Sequence, residues 1–485
     1  MSSNGNEEHT DMPGSGGESN HHSLPLPEPA RAHVTWKSRL STAAGVAGNV
    51  MEWYDFAVFG YFSDILGDVF FPPNQTGDNA LVESFLVFGT GFLMRPIGGL
   101  MLGYLGDTFG RKMALEHSIF IMASATFLMG CLPTYDAIGY GSTALLVIVR
   151  LMQGASVGGQ LMSSLVFTLE RQPKDQWGYY GAIVQSTATV GTLIGGIVAY
   201  AVRESLEKDA LLSWGWRIPF FIGSTVIFPG MYLKYHVEDT PMAHAPPPVT
   251  ETSESESSSD KVNPIKEVFS STNRRSLISC AMIVALGAGG FYLSFVWMAI
   301  YMETILSPPI EHAFAVNSVA LFISGVIIYP SAGWLSDQLG RMRVMVFGGV
   351  LMIFAGPIAI GLISVGNAAL AFFSQLLLGA GLSLFGAPSN AWIVENFPPE
   401  IRLTSVSVGY NAALAIIGGF TPAIATVLVD HVGQVSPGFY ISVLAILSLC
   451  GLYISPREGG NASTGANTQV EMVAQGSGTH ANEII

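Results

Sequence analysis

"GYLGDTFGRK" occupies residues 103–112, and "GWLSDQLGRM" occupies residues 333–342, 230 positions further along the chain. Gly103, Leu105, Asp107, Gly110 and Arg111 recur as Gly333, Leu335, Asp337, Gly340 and Arg341. A second echo pairs Gly154 and Glu170 with Gly379 and Glu395, offset by 225. One such match could be chance. Two at nearly the same offset predict an internal duplication.

The repeated unit is apolar. The 485 residues are 49% hydrophobic and only 12% charged, about half the charge of a soluble domain, and the mean hydropathy is +0.44. Stretches of about 20 apolar residues recur, each long enough to cross ~30 Å of hydrocarbon. They predict an all-α membrane protein with twelve transmembrane helices in two pseudo-symmetric six-helix bundles. The spans are read at 40–66, 83–105, 113–132, 142–166, 178–202, 215–235, 275–303, 314–336, 343–363, 367–393, 403–430 and 437–455.

Lys and Arg set the orientation. With the N-terminus inside, one side holds Lys37, Arg39, Arg111, Lys112, Arg171, Lys174, Lys234, Lys261, Lys266, Arg274, Arg275, Arg341, Arg343, Arg402 and Arg457, and the other only Arg203, Lys208 and Arg217. That bias predicts two cytoplasmic termini, in a multi-pass protein of the plasma membrane. Residues 1–36 and 457–485 read as disordered tails, with no secretory leader in the first. Bundles at 37–235 and 274–456 flank a Ser/Glu/Pro-rich cytoplasmic linker at 236–273. Asn74-Gln75-Thr76 is a glycosylation sequon on the outer side, by chance or in use.

The net charge of −14 sits largely in the tails and in "ETSESESSSD", so it says little about partners, and no nucleic-acid binding is expected. Cys131, Cys280 and Cys450 are scattered in apolar segments and form no disulfide framework. There is no metal spacing, no nucleophile motif and no Walker lysine. The chain reads as no enzyme, without cofactor or metal, and as a monomer in the bilayer. "GGIVAY" and "GAGG" read as helix-packing glycines. Parallel six-helix repeats are a transporter architecture, with the site near the midplane between them.

"GDTFGRK" resembles the loop signature of the major facilitator superfamily, and "RLMQGASVGG" (150–159) resembles its span-four motif. "GNVMEWYDF" (48–56), "MRPIGG" (94–99), "WGWRIPFF" (214–221) and "EDTP" (238–241) are similar to its metabolite:proton symporter family, which includes proline/betaine, 2-oxoglutarate, citrate and shikimate carriers. The likeness runs from about 38 to 456. It implies secondary transport of a small polar carboxylate or zwitterion with protons as coupling ion. An uncoupled uniporter and a transporter-like nutrient sensor are the alternatives.

A charge at the centre of a helix costs about 2.5–3.5 kcal/mol on the lenient insertion scale, and the first span carries two. Glu52 and Asp55 lie three residues apart on one helical face, with Arg95 and Arg150 as candidate partners in spans two and four. In the related sugar-porter branch, the Asp of span one and the Arg opening the span-four motif are implicated in proton coupling. The resemblance places Asp55 and Arg150 there, with Glu52 as a further candidate. Protonating Asp55 would then release Arg150 from a buried ion pair. The other reading is a permanent structural salt bridge. Arg95 is either counter-ion or substrate contact, and Arg217, after two Trp, is an interfacial anchor. Gln160 stands where the family usually has Glu, and an amide cannot titrate.

Trp53, Tyr54, Gln185, Tyr292, Trp297, Asn390 and Asn411 are candidate cavity residues beside Arg95 and Gln160. Gly110 suits a backbone angle that other residues resist. The resemblance implies a cytoplasmic charge latch of Asp107, Arg111 and Lys112 with the other half and with helix ends. Their counterparts Asp337 and Arg341 belong to it, as do Glu170 and Glu395 as partners of the Arg-bearing loops. Arg111 and Lys112 could instead only fix topology.

Overall fold

The computed structural model describes residues 50–73, 79–109, 111–158, 160–170, 172–225, 227–228, 231, 268–271, 273–399 and 401–456. The tails, most of the linker, Asn74 and Gly110 lie outside the described residues, as do the side chains of Asp107, Arg111, Lys112 and Gln160. Every regular element among the described residues is helical.

Nine helices are long and apolar enough to cross a membrane among the described residues. They are α2 (Asn79–Leu102), α4 (Tyr140–Glu170), α5 (Lys174–Ser205), α7 (Arg274–Ile305), α8 (Ala313–Leu339), α9 (Arg341–Ile363), α10 (Ala368–Glu395), α11 (Arg402–His431) and α12 (Ser436–Ile454). Three more occupy the remaining expected spans: α1 (50–70), α3 (Arg111–Cys131) and α6 (Ile218–Ser224). Each has a reason to fall short of the nine. α1 carries Glu52, Asp55, Asp64 and Asp68, α6 runs into residues that are not described, and α3 carries Arg111, Lys112, Glu116 and His117 in its first two turns.

Small residues decide how α2 meets α4. A Cβ on Gly154 would lie 1.9 Å from the carbonyl oxygen of Gly91, and one on Gly98 would lie 2.0 Å from that of Ala155. Backbones this close exploit the van der Waals packing that drives helix association in lipid. The "MRPIGG" and "QGASVGG" stretches are thus the two sides of one crossing, which turns Arg95 and Arg150 inward.

α7 widens to π-helical turns at Tyr292–Trp297 and Tyr301–Ile305. Such turns release backbone groups from the regular ladder. The Phe295 carbonyl takes new donors: Tyr61 Oη of α1 at 2.8 Å and Asn317 Nδ2 of α8 at 2.9 Å. A local irregularity in one bundle becomes a hydrogen bond to the other. At the α9–α10 turn, Gly366 has φ 79°, and the Asn367 side chain caps α10 by accepting from the amides of Ala369 and Leu370.

Candidate functional site

The charged groups of "MEWYDF" lie buried where α1, α2, α3 and α4 converge. Glu52 and Arg95 pair at 3.5 Å, each 2% exposed. The Arg95 guanidinium lies 4.4 Å from the Phe56 ring centroid, 4.8 Å from Phe92 and 5.5 Å from Trp53. Arg150 is also fully buried, 4.3 Å from the Phe59 ring centroid and 4.7 Å from Phe56. Aromatic faces therefore hold both buried cations.

Asp55 and Arg150 make no direct ion pair, contrary to the simplest reading of the sequence. The Gln153 amide stands between them. Arg150 Nη1 donates to Gln153 Oε1 at 2.9 Å, and Gln153 Nε2 donates to Asp55 Oδ2. Thr126 Oγ1 of α3 donates to the same carboxylate oxygen at 2.6 Å. Among the described residues, the remaining Asp55 oxygen, Oδ1, has no hydrogen-bond partner, and neither does either oxygen of Glu52. Sequence reasoning misses Gln153 and Thr126. The first has a signal, since it lies three residues after Arg150 in a motif already singled out; the second has none.

A cavity of about 90 Å³ lies beside this cluster, between the bundles. Trp53, Gln185 and Thr189 line it from one bundle; Tyr292, Phe295, Ser324, Tyr329, Asn390 and Tyr410 are among its residues from the other. Among the described residues, none that lines it carries a charge. Tyr292 links the two regions, because its ring packs 5.6 Å from Phe88 and 5.2 Å from Phe92. Asn390 Nδ2 donates to Tyr329 Oη at 3.2 Å. Tyr329 and Tyr410 carry no sequence signal, being aromatic residues among many.

Four expected lining residues are engaged elsewhere. Arg95 is held by Glu52 and the rings. Tyr54 Oη donates to the Pro219 carbonyl of α6 at 2.8 Å. Trp297 Nε1 donates to Thr426 Oγ1 at 2.9 Å inside its own bundle. Asn411 Nδ2 donates to the Gly158 carbonyl at 2.9 Å, which ties α11 to α4. In the last three cases a buried polar group has found a hydrogen-bond partner, as most do. Arg217 is likewise tied to particular groups, since its Nη1 donates to the carbonyls of Gly130 and Leu132, each at 2.7 Å, at the end of α3.

Charges bridge the bundles at both ends. At one end Asp337 accepts from the backbone N–H of Gly178 at 2.9 Å and of Tyr179 at 2.8 Å, seating a carboxylate on the positive N-terminus of α5. Arg341 contacts Glu395 and the Lys174 carbonyl. Arg402 pairs with Glu170 at 2.8 Å, so Glu170 reaches α11. Gly340, the repeat counterpart of Gly110, has φ 94°, an angle that favours glycine. At the other end Arg203 of α5 binds Asp64 of α1 at 2.5 Å and Glu303 of α7 at 3.3 Å. His312 lies 3.7 Å from Glu204 there. By sequence alone Arg203 counts only as a loop charge.

Comparison with known proteins accords with this geometry. The family described as "Sugar (and other) transporter" matches residues 40–242, and "Major Facilitator Superfamily" matches 311–475. The proline/betaine transporter of Escherichia coli is 31% identical over 414 residues, covering 85% of this chain and 82% of that protein. The glycine betaine/proline/ectoine/pipecolic acid transporter OusA of Dickeya dadantii is 30% identical over 421 residues, covering 86% and 83%. The citrate-proton symporter of Klebsiella pneumoniae is 30% identical over 441 residues, covering 87% and 96%. The fold is similar to a partially occluded, inward-open xylose transporter XylE from Escherichia coli, at TM-score 0.66 and 18% identity, covering 86% and 98%. The chain belongs to the major facilitator superfamily. It has that superfamily's twelve-helix fold and is a multi-pass membrane transporter, not an enzyme.

Proposed function

We propose that this transporter couples the uptake of a small zwitterion to protons, with Asp55 and Glu52 as the proton-accepting groups. One observation carries the reading: two fully buried carboxylates face cations yet keep oxygens without a donor. A carboxylate in low dielectric is costly unless paired and hydrogen-bonded. An oxygen left open beside its counter-ion is therefore a place where a proton can arrive and leave.

The cavity supports a zwitterion over a tricarboxylate. Its described lining residues offer aromatic faces, amides and hydroxyls and, among them, no cation. Aromatic faces attract an alkylated ammonium group, while amides and hydroxyls can donate to a single carboxylate. The relatives named for proline and betaine accord with this choice. Arg95, behind Trp53, balances Glu52 rather than meeting the substrate.

Alternating access follows from the two sets of end contacts. The Asp337, Arg341 and Arg402 contacts close the cytoplasmic side, and the Arg203–Glu303 and Tyr61–Phe295 contacts close the outer side. Each set must break in turn as the bundles at 37–235 and 274–456 rock about the cavity. The protein acts as a monomer in the plasma membrane, with both termini and the 236–273 linker in the cytoplasm, and needs no cofactor beyond the coupling proton.

The test is uptake of radiolabelled glycine betaine and proline into proteoliposomes, driven by an imposed pH gradient. Accumulation above the equilibrium level that collapses with a protonophore supports symport. Equilibration without accumulation would make the protein a uniporter.

A further inference from the structure

Gln153 is 1% exposed, and its orientation is dictated by chemistry. A guanidinium carries only donors, so Arg150 must meet the amide oxygen; a carboxylate carries only acceptors, so Asp55 must meet the NH₂. The amide dipole is therefore aligned between cation and anion, and Nε2 also contacts Thr126 Oγ1 at 3.1 Å. Both donors to Asp55 converge on Oδ2. The other oxygen, Oδ1, faces Gly223 of α6, where a Cβ would sit 3.3 Å away. A proton thus has one free oxygen to take, and taking it does not require Gln153 to turn.

We propose that Gln153 is the positioning residue through which protonation of Asp55 is communicated to Arg150. This role rests on the proton-coupled reading above. A proton delivered by hydronium, which leaves as water, bonds to Asp55 Oδ1, and the side chain becomes a neutral acid. Hydrogen bonds in such a chain polarise one another. With the carboxylate charged, the amide is polarised so that Oε1 holds Arg150 strongly. With the charge gone, that polarisation falls and the guanidinium is held more loosely. Arg150 Nη2 has one further partner, the Phe88 carbonyl at 3.3 Å, and Phe88 packs on Tyr292 at the cavity wall. A change at Arg150 is therefore felt by a residue that lines the substrate cavity.

The other ionisable groups around this chain are accounted for. On α1, Glu52 is paired with Arg95 of α2, and Tyr54 is tied to Pro219 of α6. From α7 comes Tyr292, and α3 contributes the neutral Thr126. None of them lies between Asp55 and Arg150. Among the described residues, Gln153 alone hydrogen-bonds to both.

The experiment is infrared difference spectroscopy of the full-length protein in lipid during a pH titration, which needs no substrate. Asp55→Asn identifies the carboxyl band and Arg150→Lys the guanidinium band. In the wild type both bands are expected to change with one midpoint. In Gln153→Leu the carboxyl band is expected to titrate while the guanidinium change is lost. Gln153→Glu, which keeps an acceptor for Arg150 but no donor for a charged Asp55, provides the second variant if the leucine protein fails to fold. It is expected to break the shared midpoint. A guanidinium band that still follows Asp55 in a folded Gln153 variant overturns the role alone. A wild-type carboxyl band that never titrates overturns the symport reading, and this role with it.

Discussion

Arg203 and Glu303 meet at 3.3 Å across the two bundles, and the same guanidinium holds Asp64 at 2.5 Å. One cation thus joins α1, α5 and α7 at the end assigned to the outside. Glu303 is 36% exposed, so its pair is worth about 0.2–1 kcal/mol. Glu303→Gln is accordingly expected to raise the outward-open population by roughly 1.4- to 5-fold. The measurement is labelling of a cysteine placed at Leu321, in the cavity wall, by an impermeant thiol reagent, with Cys131, Cys280 and Cys450 replaced.

Asp337 should act in the opposite sense. It caps α5 from the other bundle, and removing a capping side chain costs about 0.5–2 kcal/mol. Asp337→Ala weakens only the contact at the end assigned to the cytoplasm. Labelling of the same cysteine from outside is expected to fall, and labelling from the cytoplasmic face to rise. Equal change from both faces would mean that the two sets of contacts are not alternatives.

The Glu52–Arg95 pair makes a stability prediction. Arg95→Met leaves a carboxylate buried without its cation, which costs about 3–5 kcal/mol. Replacing both, with Glu52→Leu beside Arg95→Met, is expected to recover most of that loss, because a buried pair is often no better than well-packed apolar groups. Thermal unfolding in detergent reads both. Transport should not recover in the double variant if Glu52 serves as a proton site.

Glycines at the α2–α4 crossing differ sharply from one in the cavity wall. Gly154→Ala would press a methyl group against the Gly91 carbonyl and force α2 and α4 apart. Severe loss of folded protein is expected. Gly287 has nothing within 4 Å of its added Cβ, and it lines the cavity. Gly287→Ala should gain about 0.5–1 kcal/mol of helix stability while raising KM for the substrate, a split that expression level and uptake kinetics separate.

Much of this fold is legible in the sequence because lipid constrains it so strongly. Apolar length gives the spans, Lys and Arg give the expected sidedness, and two repeats imply two bundles. The buried charges announce themselves for the same reason: nothing else justifies Glu52 and Asp55 in hydrocarbon. The wiring between them is less legible. Charge arithmetic pairs Asp55 with Arg150, but Gln153 is one helical turn from Arg150 and takes both partners. Asn411 and Trp297 have the chemistry of cavity residues, yet an amide and an indole in a helix equally serve a neighbouring carbonyl or hydroxyl. Which of those a polar group finds depends on helix rotation, and local sequence does not set that.

Proton movement during transport tests the central claim most directly. Proteoliposomes with a pH-sensitive dye would receive glycine betaine, proline, 2-oxoglutarate and citrate in turn, with Asp55→Asn beside the wild type. The expected result is external alkalinisation with a zwitterion, absent in the variant although the variant still exchanges labelled substrate. Substrate entry by the wild type with no proton signal would contradict the account and leave Asp55 a structural partner of Gln153 and Thr126.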